Sequence, residues 1–399
     1  CFGVILEGLT ATAEELEATA DIDFALDRST PSPDRVLEVP PGDAPRGEAD
    51  LPGSGMEEVR DLFESLHLGD GLPVVPPTAR RLEAMLAYSP WSPDTVLIAS
   101  AGPNGADVTV RDVAVNAVLA GCRPHHIPIL LAAFRAMADP RYSFLQSVTT
   151  SHPGGNLVLV SGPLAAEAGI SGGQGCLGPG YTANATVGRA VNLTIVDVCR
   201  SVPGVCDLGC LGSQAEYSYC FAEDPRLTPW TTINAERFDS STTVVYVLKA
   251  EPPHDVIDYL SMRGEDLMVT LAGSCTTLGS NNAYLPGNLV LVLTPDHARL
   301  LARDGWDKGR IRRHIHDSVR HSAERVRGRG IVPVRPPGFD GMDPIPVTRS
   351  PDDVEVVVAG GRGGHSAVIL PWALHSDAVV EPVLLPDGRV PASLEEFRR

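Results

Sequence analysis

The sequence predicts an α/β fold of two similar halves, in which the strands of a mixed sheet are followed by proline-started helices and a cleft lies between the halves. The main observation is an internal repeat, because the apolar run at 155–160 (GNLVLV) returns unchanged at 287–292. A proline, Pro163 or Pro295, follows each copy and opens a helical pattern. Apolar runs that lead into helices are typical of buried strands in α/β proteins. We interpret the repeat as an internal duplication, which favours a site between the halves.

Three regions are expected along the chain. Residues 1–55 are predicted to be a tail and linker, with one Ala- and Glu-rich helix at 11–20 and a stretch from 31 onward that lacks periodicity. Residues 56–250 are predicted to form the first α/β half and residues 251–399 the second. These boundaries place one copy of the repeat in each half.

Local signals predict several elements within the halves. Apolar residues at helical spacing predict a helix from Met56 onward, and Thr78 is a good N-cap for a second helix. A third helix is expected at Pro295, because Thr294 can cap it and a proline is well suited to the first helical position. The apolar run at 354–358 predicts another buried strand.

Composition narrows the classes of partner. The chain of 399 residues has 32 Lys and Arg against 50 Asp and Glu, which gives a net charge of −18. Nucleic acids and anionic membranes bind basic surfaces, so neither is expected as a partner. No apolar run is long enough for a transmembrane helix. We therefore expect a cytoplasmic protein that binds a small molecule and can form a homo-oligomer.

Cysteine and lysine usage add two constraints. Eight cysteines in so long a chain are expected to be reduced thiols rather than a disulfide scaffold. The first residue, Cys1, is interpreted as the start of a fragment, with a lipidated end or an exposed nucleophile as alternatives. Only Lys249 and Lys308 stand against thirty arginines, a bias typical of a GC-rich genome. Schiff-base chemistry would therefore have to use one of these two lysines.

Two cysteines are candidates for thiol chemistry. Cys122 precedes His125 and His126, and a thiol near imidazoles can lose its proton for nucleophilic attack or bind a metal. Cys220 lies three residues before Glu223, so the two could form an acid–base pair. The alternatives are a small packing residue at Cys122 and an aromatic-anchored turn at Cys220. The spacing of the other cysteines matches no metal motif, so no metal is assigned.

Two segments are candidates for binding an anion or a polar substrate. The glycine-rich stretch 172–180 precedes a predicted helix that carries Asn184 and Arg189. Free backbone N–H groups and a guanidinium both suit an anion, although glycines can also serve close helix packing. Ser280, Asn281 and Asn282 could bind a substrate or an oxyanion, or could simply form a turn.

Two histidines are candidates for proton transfer. His365 follows a glycine-rich run directly after the strand at 354–358. Ligands of open α/β sheets usually bind at such strand-to-loop junctions, so His365 could act as a base there, with an ordinary tight turn as the alternative. His152 precedes the first copy of the repeat and is the second candidate.

Six blocks of the sequence resemble a family of bacterial proteins that occur with, or are fused to, UGSC-motif (seleno)proteins. The blocks are 69–78, 114–124, 183–190, 220–223 with 229–230, 279–284 and 303–308, within a resemblance that spans roughly residues 56–380. UGSC proteins carry Sec or Cys in a Gly-Ser-Cys context and are described as similar to thiol-disulfide oxidoreductases. The chain contains only a partial echo of that motif, AGSC at 272–275. The resemblance therefore implies a thiol or selenol protein as a partner.

Together these observations favour an enzyme that acts on a small, anionic molecule by cysteine thiol chemistry, through a redox or a lyase reaction. Cys122 and Cys220 would supply the thiols, while Glu223, His152 and His365 would move protons. Five residues would orient the substrate: Asn184, Arg189, Ser280, Asn281 and Asn282. The alternative is a non-catalytic substrate-binding or scaffold subunit for a thiol or selenol oxidoreductase. The sequence identifies no cofactor.

Overall fold

The protein is described from a computed structural model, which covers residues 61, 63–65, 68–331, 338, 339, 341–372 and 376–399. The predicted helix at 11–20 and the predicted linker lie outside the described residues. Most of the predicted helix that starts near Met56 also lies outside them. None of the helices in the described part of the chain combines the length and apolarity needed to cross a lipid bilayer.

Helices and strands are interspersed along the described part of the chain. The helices are α1 Ala79–Leu86, α2 Val110–Ala120, α3 Ile127–Ala138, α4 Phe144–Val148, α5 Leu164–Glu167, α6 Thr182–Cys199, α7 Ile233–Arg237, α8 Gly264–Ser274, α9 Pro295–Arg303, α10 Lys308–Ser318 and α11 Ala323–Val326. The strands are β1 Val96–Ile98, β2 Val108–Thr109, β3 Gly155–Ser161, β4 Cys220–Ala222, β5 Val244–Ala250, β6 His254–Ile257, β7 Leu289–Leu293, β8 Arg320–His321, β9 Ile345–Pro346, β10 Val354–Val358, β11 His365–Ile369 and β12 Val379–Pro382.

The structure confirms an α/β fold with mixed sheets. The first four-stranded sheet has the order β12–β5–β3–β4, with β3 parallel to β4 and antiparallel to β5. The second has the order β10–β7–β11–β6, with β7 parallel to β10 and antiparallel to β11. The two sheets therefore have the same sequence of strand directions around their central strands, β3 and β7.

One strand of the first sheet comes from the second half of the chain. Strand β12 follows β11 in sequence but pairs with β5 in the first sheet. Strand β6 stays in its own half, since it pairs with β11 at the edge of the second sheet. A bridge from Ala250 to Pro371 also joins the two halves near the ends of β5 and β11. Neither the crossing of β12 nor the pairing of β6 is visible in the sequence, because each depends on strands that are far apart in the chain.

The sheets and helices form four layers. Alternate residues of β3 and β7 face two different cores, as expected for strands buried on both faces. Leu157 of β3 and Val290 of β7 belong to one apolar cluster, so the two sheets pack face to face. Val158 faces a cluster with α2, α3 and α6, while Leu291 faces a cluster with α8, α9 and α10. Helices therefore cover the outer face of each sheet.

Several predicted elements are confirmed. Helix α1 starts after Thr78, β10 spans the predicted run, and the Thr294 hydroxyl accepts a hydrogen bond from the N–H of His297 at the start of α9. The predicted helix after Pro163 is only α5, a single turn, because the chain reverses at Gly169 with a φ of 70°.

The division at residue 250 needs one addition, because the end of the chain returns to the first half. After β12 has joined the first sheet, Leu394 and Phe397 are buried in the core of that half. The backbone N–H of Arg399 donates to the carbonyl of Ala87 at 2.8 Å. The C-terminal segment therefore packs against the first half of the chain.

Candidate active site

A buried polar chamber lies between the first sheet and its helices. Lys249 on β5 is directly opposite Asn156 on β3 in the antiparallel register, so the two side chains project from the same face. That face otherwise carries apolar residues such as Val158 and Val247, which belong to the core under the helices. The fold thus places a cationic side chain in an apolar layer.

A chain of hydrogen bonds fixes the wall of the chamber. The Tyr142 hydroxyl donates to Oδ1 of Asn156 at 2.6 Å, and Nδ2 of Asn156 donates to Oδ1 of Asn192 on α6 at 2.8 Å. Nδ2 of Asn192 donates to the carbonyl of Gly188 at 3.3 Å. Each side-chain amide has two N–H donors and uses one of them here. Both asparagines therefore keep a donor for a bound molecule.

Lys249 brings a basic side chain into the chamber. Its side chain is only 6% exposed. Within the described residues, no acceptor or carboxylate oxygen lies within hydrogen-bonding or ion-pairing distance of its Nζ. Burial lowers the pKa of Lys249 to about 8, and the more distant carboxylates of Glu216 and Asp207 oppose this shift. A buried ammonium without a partner is costly, so the chamber favours either an anion or the neutral amine.

His152 lies in the same chamber and connects it to the second half of the chain. Its Nε2 is 3.6 Å from Oε1 of Glu251, while its Nδ1 is buried without a hydrogen-bond partner among the described residues. The same Oε1 accepts a hydrogen bond from the backbone N–H of Asn281 at 3.4 Å. Two predicted site residues, His152 and Asn281, therefore meet at Glu251, one from each half.

The chamber adjoins a larger cavity that is open to solvent. The inner cavity has a volume of about 50 Å³ and is lined by Lys249, His152, Asn156, Asn192 and Glu216, among others. The outer cavity has a volume of about 570 Å³. The two cavities share four lining residues: Val196, Ser201, Asp207 and Glu216. A small molecule in the outer cavity could therefore extend one end toward Lys249.

Half-buried carboxylates lie on the boundary between the two cavities. Oε2 of Glu216 accepts a hydrogen bond from the N–H of Ser213 at 2.7 Å, and burial raises the pKa of this carboxyl. Oδ1 of Asp207 accepts from the N–H of Gly209 at 2.8 Å. Glu216 can therefore carry a proton at a pH at which an exposed glutamate would not.

The two predicted catalytic thiols lie outside the chamber. Both Cys122 and Cys220 are buried in the core of the first half, close enough that Cys122 contributes to the raised pKa of Cys220. The Cys122 thiol donates to the carbonyl of Thr186 at 3.2 Å, and burial raises its pKa to about 12. The histidine sequence neighbours do not activate it, because His126 bonds the carbonyl of Ala168 instead.

Glu223 belongs to a different polar group, at the boundary between the halves. It follows β4, is buried, and accepts hydrogen bonds from the Ser161 hydroxyl and the N–H of Ile233, both at 2.8 Å. Its Oε1 is 3.7 Å from Nζ of Lys308, which is 3.3 Å from Oε1 of Glu236. Burial raises the pKa of Glu223, and Lys308 opposes this shift. No described cavity is lined by this group.

The two glycine-rich stretches meet at a further cavity, which we call the His365 cavity. The N–H of Gly360 donates to the carbonyl of Gly172 at 2.8 Å, which brings the stretch 172–180 next to 360–364. The cavity has a volume of about 370 Å³, and His365 lines it with Nδ1 at 3.0 Å from a carboxylate oxygen of Asp255. His365 is therefore separate from His152, and the two predicted proton-transfer histidines serve different cavities.

The remaining predicted binding residues hold loops in place. Asn184 bonds the backbone of Ser171 and the carbonyl of Cys176, and so fixes the glycine-rich stretch. Ser280 and Asn282 bond each other within their own turn at 2.9 Å.

Arg189 binds a neighbouring segment of the chain. It donates to both carboxylate oxygens of Asp70, at 2.7 and 2.8 Å, and to the carbonyls of Leu72 and Pro73. Its guanidinium is thus used to hold the segment at 70–73, part of which lines the outer cavity.

Sequence reasoning missed most of the chamber. Lys249, Glu216, Asn156 and Asn192 were not predicted as site residues. One signal was present: Asn156 and Lys249 are polar residues inside strongly apolar strands, where a polar side chain needs a partner. The strand pairing that joins them could not be read from the sequence. Within the described residues, no group of three or more His, Cys, Asp and Glu side chains is placed to hold a metal ion.

Comparison with known proteins does not indicate a family or a function for the chain. No protein-family model matches the chain, and a search of curated proteins finds no match either. The resemblance to proteins associated with UGSC motifs therefore stays a prediction.

Proposed function

We propose that the protein is an enzyme that acts on a small anionic molecule, and that its active site is the chamber around Lys249 and His152. The observation that carries this proposal is Lys249 itself: a cationic side chain, buried and without a partner, at the inner end of a cavity system that opens to solvent. Unpartnered buried charges destabilise a fold and are typical of functional sites. The thiols are not part of this proposal, because burial raises the pKa values of Cys122 and Cys220.

An anion would complete the electrostatics of the chamber. A carboxylate next to Nζ of Lys249 would offset the cost of burying the ammonium group. The unused amide donors of Asn156 and Asn192 supply hydrogen bonds to its oxygens. The acidic surface of the protein weakens attraction at long range, so selectivity for anions would arise within the cavity rather than at its mouth.

His152 is the group best placed to move a proton. Oε1 of Glu251 lies 3.6 Å from Nε2 on one side of the ring, while the buried Nδ1 has no partner among the described residues. A ring nitrogen in this state can take a proton from a substrate carbon or oxygen and return it to another position. This chemistry favours a lyase or an isomerase over a redox enzyme.

The test is binding of small carboxylates, measured by isothermal titration calorimetry with wild type and Lys249→Met. We expect the variant to lose at least about tenfold in affinity, since one charge-assisted hydrogen bond contributes about 1.5 kcal/mol or more. The matched control is Arg362→Met, which removes an exposed cation from the separate His365 cavity and should leave the affinity for carboxylates unchanged. Equal affinity in wild type and Lys249→Met would contradict the proposal.

A non-catalytic role is the second candidate, and one observation favours it. The pKa values of Cys122 and Cys220 are raised, so a thiol or selenol reaction would have to use a group on a partner protein. The chamber would then bind a substrate for a UGSC-type partner. Binding without turnover by the isolated protein, with turnover restored by such a partner, would support this role.

We also propose that the two halves arose by duplication, with the main cleft retained in the first. Asn288 stands in the second copy of the repeat where Asn156 stands in the first. Its side chain bonds Asp353 at 3.2 Å and Arg349 at 3.3 Å. A salt-bridge cluster thus occupies the position that corresponds to the chamber.

We also propose a cytoplasmic location, which is consistent with the described cysteines all being free thiols.

A further inference from the structure

We propose that Lys249 is a covalent nucleophile that forms a Schiff base with the carbonyl group of its substrate, and that the substrate class is 2-oxo acids. This inference rests on the proposed function, since it assigns a substrate class to the same chamber. It goes further by replacing a binding role for Lys249 with a covalent one.

Lys249 is the only lysine in the chain with the required surroundings. A Schiff base needs a primary amine that a substrate can reach. Lys249 lines the inner cavity, and its Nζ has no partner among the described residues. Lys308, the other lysine, has its Nζ between the carboxylates of Glu236 and Glu223 and lines none of the described cavities. An amine that lies between two acidic side chains and away from these cavities is not accessible to a carbonyl compound.

The chamber also supplies the proton transfers that imine formation requires. The lone pair of the neutral Lys249 amine attacks the carbonyl carbon, and the C=O π electrons move to oxygen to give a carbinolamine. The nitrogen passes one proton to the carbinolamine oxygen, and the hydroxyl group so formed gains a second proton and leaves as water, while the nitrogen keeps its other hydrogen as an iminium. The sum is amine plus carbonyl compound plus one proton giving iminium plus one water. His152 and Glu216 line the same inner cavity and can exchange these protons.

The choice of 2-oxo acids follows from the donors around the amine. The iminium retains the positive charge of Lys249, so a carboxylate one bond away from it is stabilised by the same charge. Asn156 and Asn192 offer their unused N–H donors on the same wall. The iminium withdraws electrons from the neighbouring carbon, and His152 is then placed to remove a proton there. The covalent step thereby supplies what the proposed lyase or isomerase chemistry needs.

The experiment is reductive trapping. Wild type is incubated with pyruvate or glyoxylate and sodium cyanoborohydride, followed by intact mass spectrometry and peptide mapping. We expect one adduct per chain on Lys249, at least about tenfold above the adduct on Lys308, because Lys249 lines a cavity while Lys308 is buried between Glu223 and Glu236. Lactate and glycolate, which lack the carbonyl, should give no adduct. The α-amine of the chain is mapped in the same digest as an internal reference.

Lys249→Arg is the matched variant, because it keeps the positive charge but cannot form an imine. We expect it to bind carboxylates and to form no adduct, and its thermal midpoint checks folding. Wild type alone also tests the inference, since the two lysines are distinguished in one digest. Absence of an adduct while carboxylates still bind would overturn the Schiff base and leave the proposed function intact. Loss of both would overturn both. Equal labelling of Lys249, Lys308 and the α-amine would also overturn the inference.

Discussion

Replacing Lys249 by methionine should stabilise the protein at neutral pH. Methionine has a similar length and carries no charge into the apolar layer between the first sheet and its helices. Burial lowers the pKa of Lys249 from its ordinary value of 10.5 to about 8. That difference corresponds to about 3 kcal/mol of destabilisation in the native protein at pH 7. The gain should not exceed this amount, because Glu216 and Asp207 lose a nearby positive charge.

The stability gained by Lys249→Met should decrease as the pH rises. Because the folded pKa of Lys249 is lower than the unfolded one, the unfolded chain binds more protons between about pH 8 and pH 10.5. The destabilisation is therefore complete below pH 8 and decreases as the pH rises. We expect the difference between Lys249→Met and wild type to fall from about 3 kcal/mol at pH 7 to about 1 kcal/mol at pH 10.

Urea denaturation at a series of pH values measures this difference, with tryptophan fluorescence and far-ultraviolet circular dichroism followed in parallel. Coincident transitions from the two probes are needed before free energies of unfolding are compared. Arg362→Met serves as the control, since Arg362 is largely exposed and its loss should change stability little. A Lys249→Met protein less stable than wild type at pH 7, or a difference independent of pH, would refute the electrostatic description of the chamber.

Three further outcomes are expected. Asn156→Asp places a carboxylate opposite Lys249, so it should raise the pKa of the lysine and weaken carboxylate binding by at least about tenfold in calorimetry; unchanged affinity would contradict this. Arg189→Met removes the bonds that hold residues 70–73, and we expect a loss of about 2 kcal/mol in urea denaturation together with faster proteolysis of this segment; equal proteolysis would show that the segment is held by other contacts. In a short pulse of iodoacetamide at neutral pH, Cys210, which is exposed at the outer cavity, should be labelled much faster than the buried Cys122 and Cys220; fast labelling of either buried thiol, read by peptide mass spectrometry, would restore the thiol hypothesis.

The parts of the fold that depend on local physics could be predicted from the sequence. Strand β10 and the repeated runs in β3 and β7 consist mainly of β-branched and other apolar residues, which need burial on both faces. The start of α9 follows from Thr294 and Pro295, whose backbone preferences act within one turn. The pairing of β6 with β11 and of β12 with β5 could not be predicted, since it depends on hydrogen bonds between strands separated by more than a hundred residues.

The same distinction applies to the candidate site. Cys122 and its histidine neighbours are adjacent in sequence, yet the folded chain directs His126 to the carbonyl of Ala168 and buries the thiol. The chamber combines residues from β3, β5, α6 and two loops, which no spacing rule connects. His152 and Asn281 were both predicted as site residues, but their meeting at Glu251 depends on the contact between the two halves.

The usage of lysine and arginine supports the special role of Lys249. A GC-rich genome would account for the thirty arginines, but it would not account for the burial of both lysines, at 6% and 4% exposure. An arginine at either position would bring a larger, planar group that does not lose its proton in proteins. At Lys308, two carboxylates compensate the charge, so a compact ammonium is sufficient. At Lys249 no described carboxylate is close enough to pair with it, so a larger group with a permanent charge is less favourable there than a lysine. The exchange Lys249→Arg should therefore lower the thermal midpoint at pH 7 relative to wild type, a change opposite in sign to that of Lys249→Met.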